Sequence, residues 1–337
     1  FGSSVTTVPV IEPQRHSVAS RGPLKPPAHS LQVVARHVAR HRAIISRKGK
    51  GHGRSRGRAP IAVGAPPPAT HATNGSQTHG AADVSDGGTT VPHVQGVDDA
   101  GGRYASLAAL WEFQDRRRSE LYAANERWWA DGGYGGATDE ETMIGDEGSA
   151  NDMEHSRRVM ELVRELRPKA CGGVALDAGA GVGRVAKGVL LRAANRVDLV
   201  DGDAALLRQA RRYLGNKRSQ RCTFTAAPLQ GFEPARGAYS LVWVQWVLQY
   251  LTDRDAAELL GRLAAGLAPG GAIVAKENRP PAKGVDEAFQ MDVPSGPHGR
   301  YDVSRPDAHH RYLFALAGLR VLHHERFDEV SAWVLAP

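Results

Sequence analysis

The stretch Leu176-Asp177-Ala178-Gly179-Ala180-Gly181-Val182-Gly183-Arg184 decides how the rest of this chain is read. An apolar run at residues 174–176 ends in a carboxylate and then in glycines spaced Gly-x-Gly-x-Gly, and a helical pattern begins at Arg184. Glycines in such a turn let the backbone approach a ligand, and the following helix offers unpaired N–H groups at its start. The spacing differs from the Gly-x-Gly-x-x-Gly of dinucleotide-binding turns, and Asp177 ahead of the glycines would repel a pyrophosphate. A carboxylate there suits the positively charged amino-acid part of S-adenosylmethionine. The next apolar run, residues 197–200, ends in Asp201, 18 residues past Gly183, where an acid can accept from both hydroxyls of a ribose. The turn is therefore read as an S-adenosylmethionine site.

Outward from it, strand and helix patterns alternate. Strands are expected at residues 174–176, 197–200, 223–226, 239–244 and 272–275, with helices at 184–194, 204–214, 254–267 and about 304–317. Two strands, 320–327 and 330–335, close the chain with no helix between them. Such alternation implies βαβ units. The expected fold is α/β: a doubly wound, mostly parallel seven-stranded sheet ending in an antiparallel hairpin. Ahead of it, Leu107, Leu110, Trp111, Phe113, Leu121 and Trp128 recur at helical intervals, a Gly- and acid-rich loop spans 132–148, and a second amphipathic helix covers 151–166. Residues 105–168 are read as a helical lid on a domain that spans 105–337.

The 337 residues carry a net charge of +7, and all of it lies in front. Residues 1–100 hold 12 Arg and Lys against 5 Asp and Glu, whereas 101–337 hold 31 of each. This front composition cannot bury enough apolar surface to offset ordering entropy, so residues 1–104 read as a disordered basic tail. Within it, Leu31, Val34, Ala35, Val38 and Ile45 at helical spacing, with Arg36, Arg40 and Arg47, resemble an organelle transit helix. The Gly/Arg-rich patch at 48–58 also fits a nucleic-acid or nuclear-import segment. Nucleic acid is not expected as a partner of the neutral globular part, because phosphate binding needs clustered cations. Two cysteines point to a reducing compartment, cytoplasm or nucleus, with organellar targeting by the tail left open. No apolar run approaches the roughly 18 residues of a membrane span.

Several motifs in order resemble the protein alpha-N-terminal methyltransferases that act on Xaa-Pro-Lys N-termini. The resemblance runs from about Arg127 to Val334. Met143-Ile144-Gly145 is similar to the family's lid, Leu176–Arg184 to its glycine loop and Val200-Asp201 to its ribose acid. Leu229-Gln230-Gly231-Phe232 resembles its adenine-flanking Leu-Gln-Asp-Phe. Gln245-Trp246-Val247, Leu251-Thr252-Asp253 and Lys276-Glu277-Asn278 resemble its Gln-Trp-Val, Leu-Thr-Asp and Lys-Asp/Glu-Asn. The resemblance implies S-adenosylmethionine held by Gly179, Gly181, Arg184, Asp201, Leu229, Gln230 and Gln245, with Arg184 on its carboxylate. The implied partners are protein N-termini beginning Xaa-Pro-Lys, contacted by Ile144, Trp246 and Asp292.

The chemistry is consistent with that. Methyl transfer from a sulfonium needs a neutral amine held in line, and an α-amino group with a pKa of roughly 7.7–8.0 is partly neutral already. Trp246 offers a flat wall for a proline, and Asn278 an oxygen that can accept from the amine. Tyr250 stands where the family often has a histidine base; a phenol with a pKa of about 10 is a poor base, so it is assigned a hydrogen-bonding role. Asp292 and Asp302 both qualify as the carboxylate near the amine or the substrate lysine, and Asp302, nearer Arg305, is preferred as catalytic. Asp146-Glu147 replace the family's Gly-Tyr in the lid.

The histidine pairs His309-His310 and His323-His324 make no ready bidentate metal site and are read as surface residues; no metal is expected. Two other readings stay open: a methyltransferase of RNA or of a small amine, and a non-catalytic cofactor- or peptide-binding homologue.

Overall fold

The computed structural model describes residues 90–131, 146–280, 288–296, 299–327 and 329–337. All lie in the compact unit Thr70–Pro337; the chain's other unit, Phe1–Ala69, falls outside the described residues. The chain enters through strands β1 (Gln95–Asp98) and β2 (Arg103–Tyr104) and helices α1 (Leu107–Ala130) and α2 (Asp146–Leu166). Then come β3 (Val174–Ala178), α3 (a π-turn stretch Ala186–Leu190 continued by Leu191–Ala193), β4 (Arg196–Asp201) and α4 (Ala204–Ser219). β5 (Cys222–Ala226), β6 (Tyr239–Gln245), α5 (Asp253–Ala265) and β7 (Leu267–Asn278) follow. The chain closes with β8 (Ala288–Asp292), β9 (Asp302–Ser304), α6 (Asp307–Leu316), β10 (Arg320–Arg326) and β11 (Val330–Ala336).

The expected seven-stranded sheet is present, in the order β10-β11-β7-β6-β3-β4-β5. β3 pairs in parallel with both β4 and β6, so the strand order reverses beside it, and the crevice beyond its carboxyl end is where such sheets bind ligands. The closing hairpin is antiparallel, and its second strand also runs antiparallel to β7, Val330 facing Asn278.

Side chains alternate between two buried layers, as the strand period of two requires. Leu241 and Trp243 of β6, Ala272 and Val274 of β7, and Ala332 and Val334 of β11 meet Val159, Met160, Val189 and Leu207 of α2, α3 and α4. Their neighbours Val242, Val244, Ile273, Ala275, Trp333 and Leu335 meet Leu259, Leu260, Leu313 and Phe314 of α5 and α6. Caps fix the helix starts: Ser106, Asp203 and Thr252 each accept a backbone N–H of the helix they open.

Two expectations are corrected. Residues 95–104 are not tail: β1 pairs in parallel with β8 and antiparallel with β2 in a second sheet, β2-β1-β8-β9, and Val94 and Tyr104 are buried there with Phe289 and Met291. Between β8 and α6 runs β9, whose Asp302 faces Asp292 of β8. The helix expected from about 304 starts at Asp307, after Pro306, an extended residue. A proline also pushes the residue before it out of helical geometry.

Candidate active site

The glycine turn leaves β3 with Gly179, Gly181 and Gly183 all at positive φ. A Cβ at Gly179 would lie 2.2 Å from Cγ2 of Val247, so no larger residue fits between this turn and the one after β6. Gly179 and Ala180 donate to the Val200 carbonyl at 2.8 and 3.0 Å, and Gly181 donates to Oδ2 of Asp201 at 2.8 Å. Oδ1 of Asp201 accepts from Asp203 N at 2.9 Å. Burial raises the Asp201 carboxyl against those two amides. Burial likewise pushes Asp177, which accepts from Ala186 N at 3.1 Å, up to about 7.

Behind the turn lies a buried charge cluster that the sequence did not reveal. Asp152 of α2 contacts Nη1 of Arg184 and Nζ of Lys276, and accepts from Nε2 of Gln245 at 3.0 Å. Lys276 Nζ also donates to the Asp152 carbonyl and to Ser156 Oγ, both at 2.9 Å. Burial works to raise the Asp152 carboxyl, but Arg184 and Lys276 outweigh it and hold it below its usual range. Burial also brings the Lys276 ammonium down to about 8 against the pull of Asp152. Asp152 and Lys276 are 124 residues apart, so no local pattern announces the pair. The available hint was Lys276-Glu277, two charges placed directly after an apolar strand run.

Beyond β6 the backbone takes an unusual course. Trp246, at φ 56°, is the one non-glycine residue with positive φ among the described residues. Such a conformation costs about 1–3 kcal/mol and persists only where its surroundings impose it. Trp246 N donates to the Lys276 carbonyl at 2.9 Å, and one oxygen of Glu277 accepts from Val247 N and Leu248 N at 3.0 and 2.9 Å. The Arg184 guanidinium lies 5.2 Å from the indole centroid.

Of the three residues read as catalytic, Asn278 and Tyr250 meet on this turn, and Asp302 lies on the strand packed beside it. Asn278 ends β7 and donates through Nδ2 to Oε1 of Gln249 at 3.1 Å, which leaves its own oxygen as an acceptor. Tyr250 sits next along the turn, edge-on to Trp129 at 5.7 Å between ring centroids. Asp302 lies on β9, which packs beside residues 248–250, and Arg305 just after that strand donates to the Leu248 and Leu251 carbonyls at 2.7 and 2.8 Å. Asn125 completes the stitching: it donates to the Tyr250 carbonyl at 3.3 Å and accepts from Tyr301 N at 2.8 Å. Arg300 lies 3.1 Å from Asp302 and 3.5 Å from Asp292. The Asp302 side chain is 8% exposed and that of Asp292 39%, so the pair offers an inner and an outer carboxylate. Burial pushes Asp302 up to about 6, against Arg300.

Leu229 and Gln230 lie on a short turn whose carbonyls are gathered by Arg262, at 3.1 Å to Leu229, 2.9 Å to Gln230 and 3.0 Å to Phe232. Ile144, with Met143 and Gly145, lies outside the described residues. The Leu251-Thr252-Asp253 signature proves to be an anchor. Asp253, fully buried, accepts from Trp111 Nε1 at 2.8 Å and from Arg305 at 2.9 and 2.8 Å, with His309 Nε2 at 2.5 Å. His309 and His310 are therefore buried, not on the surface as expected; His310 packs against Trp333 and Phe314.

A family model described as AdoMet dependent proline di-methyltransferase matches residues 117–334. Alpha N-terminal protein methyltransferase 1 of Arabidopsis thaliana is 30% identical over 245 residues, covering 68% of this chain and 83% of that protein. N-terminal Xaa-Pro-Lys N-methyltransferase 1 of Homo sapiens is 39% identical over 191 residues, 56% of this chain and 81% of that protein. A solved SAM-dependent methyltransferase from Leishmania major superposes with a TM-score of 0.60 at 23% identity, covering 74% of this chain and 100% of that one. That likeness confirms the fold.

Proposed function

The chain belongs to the AdoMet-dependent proline di-methyltransferase family, and we propose that it methylates the free α-amine of protein N-termini beginning Xaa-Pro-Lys, through the residues assembled above. It is an S-adenosylmethionine-dependent protein N-terminal methyltransferase.

The residues present fit that cofactor. The glycine turn has no room for a Cβ at Gly179, and Asp201 stands at the end of the neighbouring strand. In the charge cluster two cations, Arg184 and Lys276, face one carboxylate, Asp152, so one positive charge is left for a ligand carboxylate to balance. We assign Arg184 to that carboxylate, Asp201 to the ribose hydroxyls, Leu229 and Gln230 to the adenine, and Gly179, Gly181 and Gln245 to the remaining contacts. When bound, the cofactor supplies a methyl group on a positively charged sulfur.

The observation that carries the acceptor assignment is that Asn278, through Gln249, and Tyr250 meet on the turn after Trp246, with the strand that carries Asp302 packed beside it. Asn278 accepts an N–H of the incoming amine and so aims its lone pair. Asp302, the inner carboxylate, holds the amine in place. Because an α-amine loses its proton at roughly pH 7.7–8.0, a strong base is not required. Tyr250 hydrogen-bonds the amine or a relaying water, Trp246 walls the proline, and Asp292, the outer carboxylate, takes the substrate lysine. Nucleic acid is not the acceptor in this reading, since the carboxylates assigned to the amine and the substrate lysine, Asp302 and Asp292, repel phosphate. On the free thiols Cys171 and Cys222 we place the protein in the cytoplasm or nucleus; imaging of the tagged full chain checks this. Among the described residues no helix is long and apolar enough to cross a membrane.

The test is Asn278→Lys, which puts a cation where the amine docks. Turnover of a Ser-Pro-Lys-Arg peptide should fall by about a hundredfold, while cofactor affinity by calorimetry holds. Unchanged turnover overturns the assignment.

A further inference from the structure

Glu277 lies between two residues with assigned roles, yet its carboxylate forms no ion pair among the described residues, and Arg305 acts on it only from a distance. It is 1% exposed. Its Oε1 is taken up by the amides of Val247 and Leu248, and Oε2 has no partner among the described residues. Burying a carboxylate with one oxygen unpaired is costly, and two amides do not cancel the cost: burial still pushes the group up to about 7. An expense of this kind in a folded protein calls for a local return.

That return lies one residue upstream of the two amides. Trp246 holds a left-handed backbone that a bulky side chain disfavours, and the turn on its carboxyl side is fixed by the Glu277 clamp. On its amino side the Lys276 carbonyl takes Trp246 N. β7 thus grips the β6 turn at both ends, and on one side the grip is a side chain. Val247, in the clamped turn, packs against the glycine turn at Gly179, so the same clamp sets where the indole sits relative to Arg184. We propose that Glu277 is a positioning residue: through the Val247 and Leu248 amides it holds Trp246 in its left-handed conformation, and thereby sets the enzyme's affinity for a peptide whose second residue is proline. The peptide part of this inference rests on the acceptor assignment above.

A glutamine at 277 keeps an oxygen for both amides, whereas an alanine removes it. The full chain is therefore compared with Glu277→Gln, Glu277→Ala, Trp246→Ala and Glu277→Ala/Trp246→Ala. The readouts are KM and kcat for Ser-Pro-Lys-Arg and the emission difference between each Glu277 form and its Trp246→Phe counterpart. Glu277→Ala should raise KM by about tenfold with a smaller change in kcat, and Glu277→Gln should restore most of it. The double variant should bind peptide no worse than Trp246→Ala alone, because the clamp acts through the indole.

Losses that multiply in the double variant overturn the proposal, as does a Glu277→Ala enzyme with unchanged KM. If Glu277→Ala does not fold, a folded Glu277→Gln with the same peptide defect as Trp246→Ala overturns it. If the wild type methylates no such peptide, the acceptor assignment has failed, and emission alone decides the clamp. A shift of the Trp246 signal in Glu277→Ala but not in Glu277→Gln upholds it; no shift in either refutes it.

Discussion

Asp152 of α2 and Arg184, at the start of the helix after the glycine turn, form a buried ion pair that Lys276 completes from the end of the sheet. The pair ties the amino-terminal helical region to the cofactor crevice, and Gln245 and Ser156 close the network around it. Arg184 is thereby held through one of its nitrogens.

Removing the Asp152 carboxylate leaves two buried cations uncompensated. Asp152→Ala is expected to cost about 3–5 kcal/mol in urea unfolding, and Asp152→Ala with Lys276→Met to recover part of it. A loss under about 1 kcal/mol would place the cluster among ion pairs of no consequence.

Asp201 has both oxygens engaged by backbone amides and has lone pairs to spare for a ribose. Asp201→Ala should weaken cofactor binding by about ten- to a hundredfold in calorimetry, the worth of charge-assisted hydrogen bonds. Unchanged affinity contradicts the ribose assignment.

The Asp302 carboxyl, raised by burial to about 6, must be ionised to hold the amine, and the amine must be neutral to react. On a log scale kcat/KM should rise with a slope of about two below pH 6 and about one from there to the amine's own pKa near 8. Asp302→Asn should abolish the steeper limb along with most activity. A profile with a slope of one throughout speaks against a titrating carboxylate at the amine.

Glu277 also leaves a mark on stability. Its carboxyl titrates at about 7 in the folded protein against an ordinary 4.5, so below about pH 4.5 both states are protonated and burial costs nothing extra. As pH rises toward 7 the unfolded chain ionises first and stability is lost. Glu277→Gln cannot ionise, so its stability relative to wild type should climb by about 3 kcal/mol between pH 4.5 and 7. A pH-independent difference would show that the group is not desolvated as described.

Most of the large sheet was legible because its strands alternate with helices and because Asp177, the glycines and Asp201 form one local pattern. The candidate catalytic residues were found through motif resemblance, but that Asp292 and Asp302 face each other across β8 and β9 was not legible. What stayed hidden depends on distant partners. β1 has four residues, contains Gly96, and gains its identity from β8 across the whole length of the domain. His309 and His310 look like surface residues until α6 is placed against Asp253 and Trp333. Asp152, Asn125, Arg262 and Arg305 act on residues far along the chain, where periodicity and spacing carry no signal.

The measurement that bears most directly on the account is mass spectrometry of a Ser-Pro-Lys-Arg peptide and its N-acetylated copy, each incubated with the full chain and S-adenosylmethionine. Mass steps of one to three methyl groups on the free peptide alone are predicted, because the site is assigned to the α-amine. Methylation of the acetylated copy, or of neither peptide by a protein that binds the cofactor, contradicts that assignment.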